Sequence, residues 1–112
     1  MYKLAIATSD GLTVNEHFGH AQFFRVYELD QNGHRFIEVR DAVAVCQQQL
    51  GHDTTRFDKI AELLSDCSAV LVQKIGGGAA AYLIGKGVRV FEVSGMIDAV
   101  LDKFASDAIL QN

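Results

Sequence analysis

"SAVLVQKIGGGAAAYLIGKGVRVFEV", residues 68–93, holds two apolar runs separated by a segment of glycine and alanine. The first run, residues 68–75, is continuous rather than alternating, as expected of a strand covered on both faces. Residues 76–87 open on three glycines, become alanine-rich and close on Gly85 and Gly87. That pattern predicts a short helix with a glycine-rich start and a glycine C-cap. "VRVFEV", residues 88–93, reads as strand again. Strand, helix and strand in succession make a βαβ unit, and therefore an α/β fold with a parallel pair.

The flanks extend this unit. Residues 53–67 predict a helix, because Phe57, Ile60, Ala61 and Leu64 fall on one face and Asp53 to Thr55 supply N-caps. Residues 94–110 predict a last helix, with Ile97, Val100, Leu101 and Phe104 on its apolar side. The first half is different. Residues 2–8, 22–29 and 35–42 read as strands, the last two joined by a hairpin whose turn contains Asn32-Gly33, a favoured type I′ pair. The Gln-rich stretch 43–55 reads as a loop. The order β-β-β-α-β-α-β-α predicts a three-layer α/β fold: a mixed sheet of about five strands with helices on both faces, in one domain spanning 1–112.

Composition narrows the function. The net charge is −4, and no basic stripe is interleaved with aromatics, which argues against a nucleic-acid partner. No apolar run is long enough to span a bilayer, and the N-terminus turns polar after a short apolar stretch, so a cytoplasmic protein is expected. In that compartment Cys46 and Cys67 are expected as free thiols. Cys67, between a helix end and a buried strand, reads as an inert core thiol, whereas Cys46 lies in a loop and is accessible. His34, after the hairpin turn, reads as a solvated side chain.

In an open α/β sheet the ligand crevice lies beyond the carboxyl ends of the parallel strands. Two segments are expected there. "SDGLTVNEHFGH", residues 9–20, follows the first strand, and "KIGGGAA", residues 74–80, follows the buried one. Gly76 and Gly77 at a helix start expose backbone N–H groups to an anion, and Lys74 adds a full charge. The same glycines also suit a tight turn with close helix–sheet packing. The segment lacks the Walker spacing, and Ala81 stands where a dinucleotide fingerprint needs glycine. His17 and His20 are three apart and suit iron, zinc, copper or nickel, with Gly19 between them for backbone freedom. Loop capping is the plain alternative. His17, His20, Cys46 and His52 match no zinc-finger spacing. A catalytic set is poorly supported: Asp10, Glu16 and His17 are the candidates for acid–base work, and no serine sits in a nucleophile elbow.

Taken together, "SDG…VNEHFGHAQFFRVYE", Cys46, "LLSDCSAVLVQKIGGGAAAYL" and "GVRVFEV…MIDAVL" resemble the dinitrogenase iron–molybdenum cofactor biosynthesis family over almost the whole chain. The resemblance implies a ribonuclease-H-like α/β fold and a non-catalytic carrier of an iron–sulfur cluster or iron–molybdenum cofactor precursor. It implies metallocluster assembly or acceptor proteins as partners. Carried across, the histidine of the HFG motif is His17 and the loop cysteine is Cys46, the two expected metal contacts; His20 is matched in only part of the family. The chain has no CxxxCxxC triad, so it is not a radical cofactor-building enzyme by itself. Such a cluster is anionic, which fits Lys74 and the amides of Gly76 and Gly77. Two other readings stay open: a cofactor-free interaction or regulatory module on the same fold, and a small metal-dependent hydrolase using Asp10.

Overall fold

The computed structural model describes residues 2–30, 32–42 and 56–107, excepting the side chains of residues 56 and 57. The strands are β1 (Tyr2–Ala7), β2 (Thr13–Val14), β3 (Phe23–Asp30), β4 (Gly33–Asp41), β5 (Ala69–Val72), β6 (Arg89–Glu92) and β7 (Gly95–Met96). The helices are α1 (Arg56–Leu63), α2 (Gly77–Gly85) and α3 (Ile97–Ser106), with a 3-10 turn at Phe18–His20.

Five strands form one mixed sheet in the order β4-β3-β1-β5-β6. β1 runs antiparallel to β3 and parallel to β5, and β5 runs parallel to β6. The short β2 and β7 make a separate antiparallel ribbon. Alternation along the central strands divides the core. Ala5, Ala7, Val70 and Val72 face Ile60 and Leu64 of the α1 side and Ala79 and Leu83 of α2. Leu4, Ile6, Ala69 and Leu71 face Ile97, Leu101 and Phe104 of α3. Helices therefore cover both faces, and the anticipated three layers are present. Residues Ala69 to Val72 are fully buried, which is why the run carries no polar residue. Each large side chain so buried contributes about 1.5–3 kcal/mol.

The structure departs from the sequence reading at several ends. The buried strand stops at Val72 rather than reaching Ile75, because Gln73 and Lys74 pair with the loop after β1 instead. In the hairpin, Asp30 pairs with Gly33, so Gly33 belongs to β4 rather than to the turn. The β3–β4 register shifts between Val26 and Tyr27: Val26 faces Glu38 and Tyr27 faces Phe36, leaving Ile37 as the extra residue of a bulge. The long loop after β1 contains the two-residue β2, which pairs with β7 rather than staying coil throughout. His34 is not solvated as expected. Its side chain is 18% exposed, its Nε2 lies 3.3 Å from Asp102 Oδ1 of α3, and its ring meets Tyr27 edge-on.

Candidate functional site

The carboxyl ends of β1 and β5 deliver two segments to one edge of the sheet. The first is organised by Asp10. Its carboxylate accepts the N–H groups of Leu12 and Thr13 at 2.8 and 2.9 Å and the hydroxyls of Thr8 and Thr13. These donors, the backbone amides foremost, hold its carboxyl down at about 2. Gly11 takes a left-handed φ of 74°, and a Cβ there would meet Arg25 Nη1 at 3.3 Å. Asp10 is thus engaged as a loop-shaping acceptor in its charged form.

Beyond Asp10 the loop turns back along the end of β5. Gln73 N–H donates to the Glu16 carbonyl at 2.9 Å, and Phe18 N–H donates to the Lys74 carbonyl at 2.8 Å. A parallel bridge joins His17 to Lys74. Phe18 is 2% exposed and packs 6.0 Å, centroid to centroid, from Phe24. One aromatic therefore anchors the turn while its neighbours stay outside. The 3-10 turn closes through His20 N–H to the His17 carbonyl at 3.0 Å. The exposed rings of His17, the extended N-cap of the turn, and of His20 at its end lie near-parallel, 5.8 Å between centroids and 9° between planes.

His17, Gly19, His20, Lys74, Ile75 and Gly76 line one depression of about 250 Å³. Gly77 follows as the first residue of α2. Gly76 is the N-cap, with extended backbone, so the first-turn amides have no intrahelical acceptor and, among the described residues, no capping side chain. The glycines are not where sterics demand them. Among the described residues, a Cβ at Gly19, Gly76, Gly77 or Gly78 would meet nothing within 4 Å. This corrects both the backbone freedom expected of Gly19 and the close-packing role considered for the glycine run. Among the described residues, the run leaves those amides uncovered.

Cys46 and His52 lie outside the described residues. Cys67 is apart from the site: buried, 3.7 Å from Asp66 Oδ1 and 3.9 Å from Arg40 Nη1. Burial, and then the Asp66 charge, push its thiol up to about 11, as suits an inert sulfur. The sequence reading missed Glu92. At the end of β6 its Oε2 accepts the Ile75 N–H at 3.0 Å, so a carboxylate stands beside the depression. Nothing but its position at a strand end marked it. Among the described residues no group of three or more His, Cys, Asp or Glu side chains could hold a metal ion. Two histidines and an open glycine turn suit a guest that brings most of its own ligands, as the sulfides of an iron–sulfur cluster do.

The family model described as "Dinitrogenase iron-molybdenum cofactor" matches residues 1–107. Among curated proteins, the FeMo cofactor biosynthesis protein NifB of Frankia alni is 37% identical over 97 residues, 85% of this chain but only 19% of that protein. Protein NifX of Rhodobacter capsulatus is 35% identical over 89 residues, 78% of this chain and 56% of its own length. Among solved structures, that of PH0822 superposes with a TM-score of 0.72 at 22% identity, covering 94% of this chain and 90% of that one, and so shares the fold. Among the described residues no helix is long and apolar enough to cross a membrane.

Proposed function

The chain belongs to the dinitrogenase iron–molybdenum cofactor family, and from that premise we propose that it binds an iron–sulfur cluster or iron–molybdenum cofactor precursor and hands it on. It acts as an accessory protein of metallocluster biosynthesis in the cytoplasm, without catalysing a reaction itself. The observation that carries this reading is the meeting of two exposed imidazoles, Lys74 and the uncapped start of α2 around one depression. Because the chain spans about a fifth of the NifB protein of Frankia alni, the reading takes over a binding role and none of the rest of that protein.

The chemistry follows from the donor set. Imidazole nitrogen ligates iron, and His17 is the first contact. The amides of Gly77 and Gly78, with Lys74, stabilise the negative charge of the guest. Cys46 is proposed as a further, thiolate contact. Partial coordination suits a carrier, because a fully ligated cluster leaves slowly. The partners are then cluster assembly and acceptor proteins, and neither nucleic acid nor membrane is required.

Anaerobic loading of the purified chain with preformed clusters, followed by iron analysis and absorbance, tests the reading. The wild type is expected to retain iron, and His17→Ala to lose most of it with an unchanged circular dichroism spectrum. Undiminished iron in that variant removes His17 from the site. A wild type that takes up no cluster, yet co-purifies with a partner protein, supports the cofactor-free interaction module instead.

A further inference from the structure

Resting on the carrier reading, we propose that Glu92 is the positioning residue of the site: its carboxylate fixes the turn that presents Gly76 and the start of α2 to the guest. β5 and β6 run in parallel register, with Val72 opposite Glu92. At the strand ends the Val93 N–H donates to the Val72 carbonyl at 2.8 Å. Beyond that rung the chains part, one towards α2 and the other towards β7. Glu92 spans the gap. Its Oε2 accepts the Ile75 N–H at 3.0 Å, three residues past the end of β5. A side-chain carboxylate thus stands in for a strand carbonyl.

Ile75 is where such a bond has leverage. It lies between Lys74 and Gly76, and all three line the depression. Its side chain is partly buried against the core cluster that includes Ala79 and Leu83 of α2. Because β5 lies between β1 and β6, the loop after β1 holds the same segment from the opposite side. There Gln73 N–H donates to the Glu16 carbonyl, and the Lys74 carbonyl accepts the Phe18 N–H. Those two bonds are made by main chain, which every residue type carries. The Ile75 bond instead needs an acceptor of the right length at residue 92. A carboxylate beside an anionic guest also repels it. Reach and charge can be separated: Glu92→Gln keeps the reach without the charge, Glu92→Asp keeps the charge without the reach, and Glu92→Ala keeps neither.

The test titrates the full chain and these three variants anaerobically with a preformed four-iron four-sulfur cluster. At equal charge, reach sets the difference. Glu92→Gln is expected to bind about three- to tenfold more tightly than Glu92→Ala, and the wild type to exceed Glu92→Asp by a similar factor, the worth of one hydrogen bond. At equal reach, Glu92→Gln is expected to bind a few-fold more tightly than the wild type, a gap that narrows as salt is raised. Amide hydrogen exchange of the unloaded chain gives a readout without the guest. Ile75 should exchange about three- to tenfold faster in Glu92→Asp and Glu92→Ala than in the wild type, with the slow rate restored in Glu92→Gln. Circular dichroism checks the fold of each. Equal cluster affinity of Glu92→Gln and Glu92→Ala, or an Ile75 amide no faster in Glu92→Asp, overturns the positioning role while the carrier reading stands. A wild type that binds no cluster sinks the carrier reading and this inference together.

Discussion

Asp10 and Cys67 show how far one residue's surroundings set its chemistry. The backbone amides of Leu12 and Thr13 favour the charged form of Asp10 and lower its carboxyl to about 2. A depressed carboxyl stabilises the fold above its ordinary value of about 3.9, and that contribution disappears as pH falls towards the folded value. Asp10→Asn is therefore expected to be less stable than the wild type at neutral pH. The gap should close between pH about 4 and about 2, as read from urea midpoints. Cys67 shifts the other way, up to about 11, with burial as the first cause. In a Cys46→Ser background at mildly alkaline pH, its thiolate fraction should be about 100-fold below that of the unfolded chain. Ellman's reagent should then react with the folded protein slower by about that factor, and equal rates would show that the sulfur is not sequestered. Glu92 is a charge effect at the site itself. Replacing it with Gln keeps an acceptor for the Ile75 N–H and removes a negative charge beside the depression. An anionic guest should bind a few-fold more tightly, consistent with about 0.2–1 kcal/mol for an exposed charge.

At the scale of the element, α2 departs from what stability alone would choose. Gly77 and Gly78 are helical, and a Cβ at either would meet nothing within 4 Å among the described residues. Alanine at either position is then expected to stabilise the chain by about 0.4–1 kcal/mol, chiefly by restricting the unfolded state. The same methyl stands over the first-turn amides and should weaken cluster loading. Greater stability with poorer loading is the signature to look for in urea titrations run beside iron analysis; greater stability with unchanged loading would show that the guest never approaches that backbone. The other elements show why the sequence was legible where it was. Ala69 to Val72 and the Ile97, Leu101 and Phe104 stripe announce their burial through periodicity, a local property of the chain. The pairing of Phe18 with Lys74 and the His34–Asp102 contact join residues far apart in sequence, and no local pattern encodes them. Arg40 belongs with these. Its half-buried guanidinium reaches from β4 to the Leu63 carbonyl and to Asp66 beyond the end of α1, holding the Asp66 carboxyl well below the usual range.

The site belongs to the molecule as a whole, because neither half of the chain can build it. His17 and His20 come from the loop after β1, the glycine turn comes from the end of β5, and β1 and β5 are neighbours only once the sheet has formed. Placing both loops at strand ends of an α/β sheet made one shared edge an expectation, but the parallel pairing of β1 with β5 that brings them together lies outside the βαβ unit of residues 68–93. The stacking of the imidazoles and the presence of Glu92 were not, because they depend on a 3-10 turn and on a strand end in the folded sheet. A guest that binds only the assembled site should stabilise the native state by mass action, by about 2.7 kcal/mol at a free concentration 100 times the dissociation constant. For a chain of 112 residues the unfolding entropy converts this into a rise in Tm of about 10 °C. Anaerobic calorimetry with and without the cluster reads the shift directly. It should shrink markedly in His17→Ala, and the unloaded midpoint should stay close to the wild-type value because the ring is exposed. A full shift retained in that variant would mean that the cluster binds elsewhere on the fold, and the open edge beyond β1 and β5 would no longer explain where the guest is held.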